Sequence, residues 1–168
     1  DRFIVTIHDL LLLEYPTRAA STLGPVAYWF KQLMYKKVLR HAVTRAEKII
    51  ATSEFTKQDI VQKLQIDPHK ITVTYQAPFF TAPSAPNTSF LQAHSITKPY
   101  VLYVGAAYPH KNLDRLLTAW PEIQIKTNHA YQLVLVGRDH YFYQRLKEKV
   151  STEKITGVIF TGFVPDTQ

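Results

Sequence analysis

The chain has 168 residues, 46% of them apolar and 20% charged, with a net charge of +7 and an isoelectric point near 9.5. That balance supports a packed globular core in one domain or in parts of two. Cysteine is absent, which excludes disulfides, thiolate metal sites and cysteine nucleophiles. No apolar run approaches the roughly 20 residues of a membrane-spanning helix. The basic charge suits a polyanion: nucleic acid, an anionic lipid surface or a phosphorylated substrate.

The chain opens on "RFIVTIHD" (Arg2 to Asp9) with neither a start methionine nor a basic leader, so a fragment is expected. This run is β-branched, aromatic and almost continuously apolar, and reads as a buried strand of a parallel sheet. It ends at His8-Asp9, and a loop follows through "LLLLEYPTRAAS". From about Pro25 to Lys48 the periodicity predicts a helix. Tyr35, Val38, Leu39, Ala42, Val43 and Ala46 share one face; Lys36, Lys37, Arg40, His41, Arg45 and Lys48 share the opposite one. Tyr28, Trp29 and Phe30 do not continue the apolar stripe. "KIIAT" is a short strand, Ser53 is placed to cap the helix "EFTKQDIVQKL", and "KITVTY" is a further strand.

Three prolines in "QAPFFTAPSAPNTSF" mark a connection, and "SFLQAHSI" a weak helical turn. The rhythm then restarts. "PYVLYVG", "YQLVLVG" and "GVIFTGFV" read as strands separated by the helices "NLDRLLTAWPEI" and "YFYQRLKEKV". The fold class is therefore α/β, two Rossmann-like sheets begun on either side of a proline-rich link.

In open parallel sheets, ligands sit beyond the carboxyl ends of the strands. His8-Asp9, the loop "GAAYPHKN" from Gly105 to Asn112, and Gly137-Arg138 all lie at such ends. Gly105 lets the backbone approach a ligand, and Asn112 is a candidate cap for the next helix. Lys111 adds a full charge to the partial charge of helix amides, and His110 a further donor; together they suit a phosphate. An exposed lysine on a plain strand-helix turn fits the same residues. Neither G-x-G-x-x-G nor a P-loop occurs, and the seven histidines show no metal-ligand spacing.

"TIHDLLLLEYP", "ATSEFTKQDI", "YVGAAYPHKNLDRLLTAW", "LVLVG" and "VIFTGFVPD" stand in an order that resembles the retaining GT-B glycosyltransferases of the group-one type, such as bacterial mannosyl- and rhamnosyltransferases of surface polysaccharides. The resemblance implies that residues 1–78 end an acceptor domain, 79–97 link, and 98–168 begin a donor domain. It implies hexosyl transfer from a nucleotide diphosphate sugar to a hydroxyl of a glycan or lipid-linked acceptor, without a metal cofactor, by a cytoplasmic enzyme at or near the inner membrane face.

Carried over by residue, Lys111 and Gly105 belong to the diphosphate loop, and His8 matches a histidine near the donor sugar. Gly137, Phe163 and Val164 match positions beside base and ribose. Relatives commonly carry arginine where this chain has Ala106, so His110 or Arg138 is expected to supply the second charge. A pair of glutamates that contacts sugar and ribose in the family does not occur before Gln168. Lys36, Lys37, Arg40, Arg45 and Lys48 would rest on an anionic membrane; a solvated helix face fits them equally. A non-enzymatic nucleotide- or polyanion-binding module is the alternative, and no nucleic-acid-reading motif is present.

Overall fold

The computed structural model describes residues 2–77 and 88–165, in two compact units, Asp1–Thr81 and Ala82–Gln168. Residues 78–87, most of the proline-rich link, lie outside the described residues.

The first unit is a parallel sheet of β1 (Ile4–Ile7), β2 (Lys48–Ala51) and β3 (Ile71–Val73), in that order. β1 pairs Ile4 with Lys48 and Ile7 with Ala51, and β2 pairs Ile49 with Ile71. The segment after β1 is not wholly a loop. Asp9 Oδ1 accepts from Leu11 N at 3.0 Å and starts a single turn, α1 (Leu11–Glu14), and Arg18–Ala20 form a 3-10 turn. The short side chain of Asp9 competes for a backbone donor two residues on, which hydrophobic periodicity does not reveal.

The long crossover helix is α2 (Pro25–Arg45). Its inward stripe is Tyr28, Gln32, Tyr35, Leu39, Ala42 and Val43, continued by Ala46. Two expectations fail here. Tyr28 does continue the stripe, whereas Val38 is 59% exposed, because the stripe runs through its neighbours at helical spacing. The helix also stops at Arg45, where the Ala46 amide closes the last turn on Ala42 O and Glu47 N turns away to Phe3 O. Lys48 is thus the first residue of β2, with its ammonium donating to His69 O at 3.1 Å, and leaves the helix's basic face.

Helix α3 (Glu54–Leu64) has the expected bounds. Ser53 caps it by accepting from Thr56 N at 3.1 Å. The core of this unit joins Ile7, Leu10, Val43, Ile49, Ile60 and Ile71. β1, read as fully buried, instead leaves Ile4 exposed, because it is paired on one side only among the described residues.

The second unit begins with α4 (Thr88–Ala93), followed by the parallel strands β4 (Tyr100–Val104), β5 (Gln132–Val136) and β6 (Val158–Gly162) in sequential order. Helices α5 (Leu113–Lys126) and α6 (Tyr141–Thr152) cross between them. Leu117, Trp120, Leu133, Leu135, Tyr143 and Leu146 form the core. Trp120 buries its ring while Nε1 donates to Thr156 O at 3.1 Å, so no polar atom of the indole is stranded.

Replacing the cap, Ser53→Ala, is expected to cost the first unit about 1 kcal/mol of stability. Urea denaturation followed by circular dichroism reads this as a lower midpoint with an unchanged slope; an unchanged midpoint would deny the cap its role.

Candidate functional site

Parallel pairing puts the carboxyl ends of β4, β5 and β6 along one edge of the second sheet. Three segments meet there: the loop from Gly105 to Asn112, the turn at Gly137-Arg138, and Phe163-Val164.

Gly105 is the pivot of the loop. Its φ of +144° favours glycine, and its N–H donates to Val136 O at 3.0 Å, extending the β4–β5 ladder by one residue. Its carbonyl accepts from the Tyr143 hydroxyl at 2.9 Å, and the next carbonyl, of Ala106, accepts from the Tyr103 hydroxyl at 2.9 Å. Ala107 then drops its methyl into the core. Burial, with a smaller push from Tyr103, raises the Tyr143 phenol to about 12, and burial raises Tyr103 as well. Both hydroxyls keep their protons, and hence their donor role, at neutral pH.

Gly137 donates its N–H to Gly162 O at 3.0 Å and packs against the same pivot. A methyl group there would meet Gly105 O at 2.3 Å and the Tyr143 hydroxyl at 2.5 Å. The sequence reading put Gly137 beside a nucleotide; in the structure its protein neighbours are the Gly105 carbonyl and the Tyr143 ring.

Beyond Ala107, Pro109–Lys111 form a 3-10 turn. Lys111 therefore precedes the helix, and α5 begins at Leu113. Its ammonium is exposed and has no ion pair or hydrogen bond among the described residues. Asn112 was expected to cap α5. It is instead left-handed, with φ 57°, and its side chain caps nothing. Asparagine tolerates this conformation, and here it reverses the chain between the 3-10 turn and the helix. The acidic residue of that first helical turn, Asp114, is neutralised by Lys149 of α6 at 3.0 Å.

Aromatic rings wall the loop. Tyr108 stacks on His110 with centroids 5.8 Å apart and leans on His140 and Phe142. His140 Nδ1 accepts from Phe142 N at 3.3 Å and caps α6; its buried Nε2 has no partner among the described residues. Phe163 is 63% exposed, so it is not core, and the Arg138 guanidinium lies 5.3 Å over its ring. Tyr103, Tyr143, Tyr108 and His140 went unnoticed in the sequence. Tyr143 lies on the apolar stripe of a helix, where a tyrosine reads as core, and nothing local points it at a residue 38 positions away.

In the first unit, His8 follows β1. Its carbonyl accepts from Thr52 Oγ1 at 3.1 Å and Thr56 Oγ1 at 3.2 Å, which ties it to the cap of α3. Its exposed ring has Gln76 Nε2 3.5 Å from Nδ1, and Asp9 is spent on α1.

Comparisons with known proteins match both units. Residues 87–168 match the family model "Glycosyl transferases group 1", and residues 1–77 match "Glycosyltransferase Family 4". Residues 87–168 belong to the group 1 glycosyltransferases. It is similar to O-antigen chain mannosyltransferase B of Escherichia coli, 25% identical over 99% of this chain and 43% of that protein. It is also similar to O-antigen chain mannosyltransferase RfbU of Salmonella typhimurium, 25% identical over 82% of this chain and 33% of that protein. Among solved structures, WaaG, a glycosyltransferase involved in lipopolysaccharide biosynthesis, superposes with a TM-score of 0.65 at 17% identity, over 98% of this chain and 46% of WaaG. HepE of Anabaena, solved with UDP-glucose, gives 0.60 at 16% identity, over 97% of this chain and 42% of HepE. These likenesses establish the GT-B class of fold. The chain spans less than half the length of the relatives it matches.

Gly137→Ala is expected to cost about 1–3 kcal/mol, since overpacking here meets backbone as well as a side chain. Thermal unfolding of the purified protein checks it, and a melting temperature equal to wild type would contradict the close packing at Gly137.

Proposed function

We propose that the complete protein is a retaining glycosyltransferase that moves a hexosyl group from a nucleotide diphosphate sugar to a hydroxyl acceptor in surface polysaccharide or glycolipid synthesis. One observation carries this reading: a lysine ammonium, Lys111, unpaired among the described residues, beside a tyrosine-anchored glycine loop at the carboxyl edge of a parallel sheet. The family match and the UDP-glucose bound by HepE support it.

The bond from C1 of the sugar to the β-phosphate oxygen breaks, and negative charge grows on that phosphate. Lys111 and the loop amides meet the developing charge, so stabilisation is greatest when the bond is most broken. The acceptor oxygen bonds to C1 on the face that the diphosphate leaves, and its proton passes to the departing phosphate. The charge is offset by protein groups, so no divalent cation is required. Gly105 belongs to the phosphate loop, and His110 or Arg138 replaces the cation missing at Ala106. Phe163 and Val164 lie beside base and ribose, and Gly137 supports the loop.

Assayed in EDTA with a panel of nucleotide sugars, the full-length protein is expected to turn over one of them, and Lys111→Ala to lower kcat/KM about 10²–10³-fold. Full activity in the variant, or none in wild type with any donor, would refute the reading.

We further infer that α2 rests on an anionic membrane surface, where lipid-linked acceptors lie. Beside the exposed Lys36, Lys37, Arg40 and Arg45, the same helix exposes Val26, Trp29, Phe30 and Leu33, with Trp29 65% and Phe30 59% accessible. Rings that enter the headgroup region and cations that meet its phosphates suit one surface, at about 1 kcal/mol per basic residue. No helix among the described residues is long and apolar enough to cross a membrane. Vesicles of phosphatidylglycerol and phosphatidylcholine should carry the protein upward in flotation at low salt and release it at high salt. Failure to float at low salt removes the membrane from the account.

A further inference from the structure

The phosphate loop is held by its carbonyls. Gly105 O and Ala106 O each accept from one phenol, Tyr143 and Tyr103, at 2.9 Å, and neither has another donor among the described residues. The peptide bonds among the described residues are trans, so each carbonyl points opposite to the N–H in its own peptide plane. The partners of those carbonyls are the amides of Ala106 and Ala107. Neither amide donates to any acceptor among the described residues, although Ala107 is itself buried. Ala106 is half-buried and Ala107 buried, and backbone donors in such surroundings are ordinarily paired.

The anchoring is redundant. Tyr143 is 1% exposed, donates to Val136 O at 2.9 Å as well, and sits where a methyl group on Gly137 would go. Tyr103 reaches back across its own strand end to the loop. Gly105 N and the Ala107 methyl fix the two ends of the segment. The peptides between them cannot flip without breaking a phenol bond and leaving a carbonyl unpaired.

We propose that Tyr103 and Tyr143 are positioning residues. They lock the Gly105 and Ala106 peptides so that the amides of Ala106 and Ala107 form a preset pair of donors for the diphosphate of the sugar nucleotide. This rests on the donor-site reading above and deepens it. Position 106 is an alanine and carries no charge, so recognition of the anion by this segment falls to oriented backbone dipoles, which need no reorganisation when the ligand arrives.

The test keeps each ring and removes only the hydroxyl. Calorimetric titrations of the full-length wild type, Tyr143→Phe, Tyr103→Phe and the double variant would use UDP, GDP, ADP and dTDP, each beside its monophosphate. For the diphosphate that wild type prefers, each single variant is expected to weaken affinity about tenfold. The monophosphate, which lacks the β-phosphate, should change less than about twofold, so the ratio of the two affinities falls. A general loss of structure would weaken both nucleotides alike, and Tyr103→Phe, at a half-buried ring, carries the test if Tyr143→Phe does not fold. An unchanged ratio in wild type and variants overturns the positioning role while leaving the donor site standing. If wild type binds none of the diphosphates, both proposals fall.

Discussion

The bond from the Tyr143 hydroxyl to the Gly105 carbonyl joins α6 to the loop after β4, and much of the second unit is arranged around it. It requires a glycine at 105, where φ is +144°, and a glycine at 137, where the carbonyl and phenol fill the space a methyl group would take. It requires β5 beside β4, so that Val136 O can accept from both Gly105 N and Tyr143. The loop is therefore a rigid end of the sheet, and a site built on it is preorganised.

Two kinds of positive potential converge on that loop from different sources. Lys111 provides a point charge on a long side chain from a 3-10 turn, and the amides of Ala106 and Ala107, unpaired among the described residues, provide fixed dipoles. Asp114, the one acidic side chain in the first turn of α5, is turned to Lys149, so it does not oppose an anion there. The division suits a leaving diphosphate. In the proposed transfer, dipoles set the place of the phosphate, and a flexible cation follows the charge as it moves. In the first unit the same economy appears at His8, whose carbonyl is fixed by Thr52, ahead of the α3 cap, and Thr56, in its first turn, while its ring stays exposed.

What the sequence disclosed was whatever local chemistry decides. The strands, the bounds of α3 and the Ser53 cap follow from short-range signals, and five ordered motifs carried the family. Signals that depend on competition were misread. Asn112 resembles a cap until the 3-10 turn ahead of it forces a left-handed residue. Lys48 continues a basic face in projection, yet the helix ends three residues earlier to feed β2. The anchoring of the loop was invisible, because Tyr103 and Tyr143 find their partners through the packing of whole elements rather than through spacing. The exposure of Phe163 and its stack with Arg138 put it on the surface of the sheet edge, which no local signal in the sequence reveals.

The most direct measurement is a crystal structure of the full-length protein with its preferred nucleoside diphosphate. The account predicts β-phosphate oxygens within about 3 Å of the Ala106 and Ala107 nitrogens, with the Lys111 ammonium against the same phosphate. A diphosphate held elsewhere, with those amides still unpaired, would contradict it.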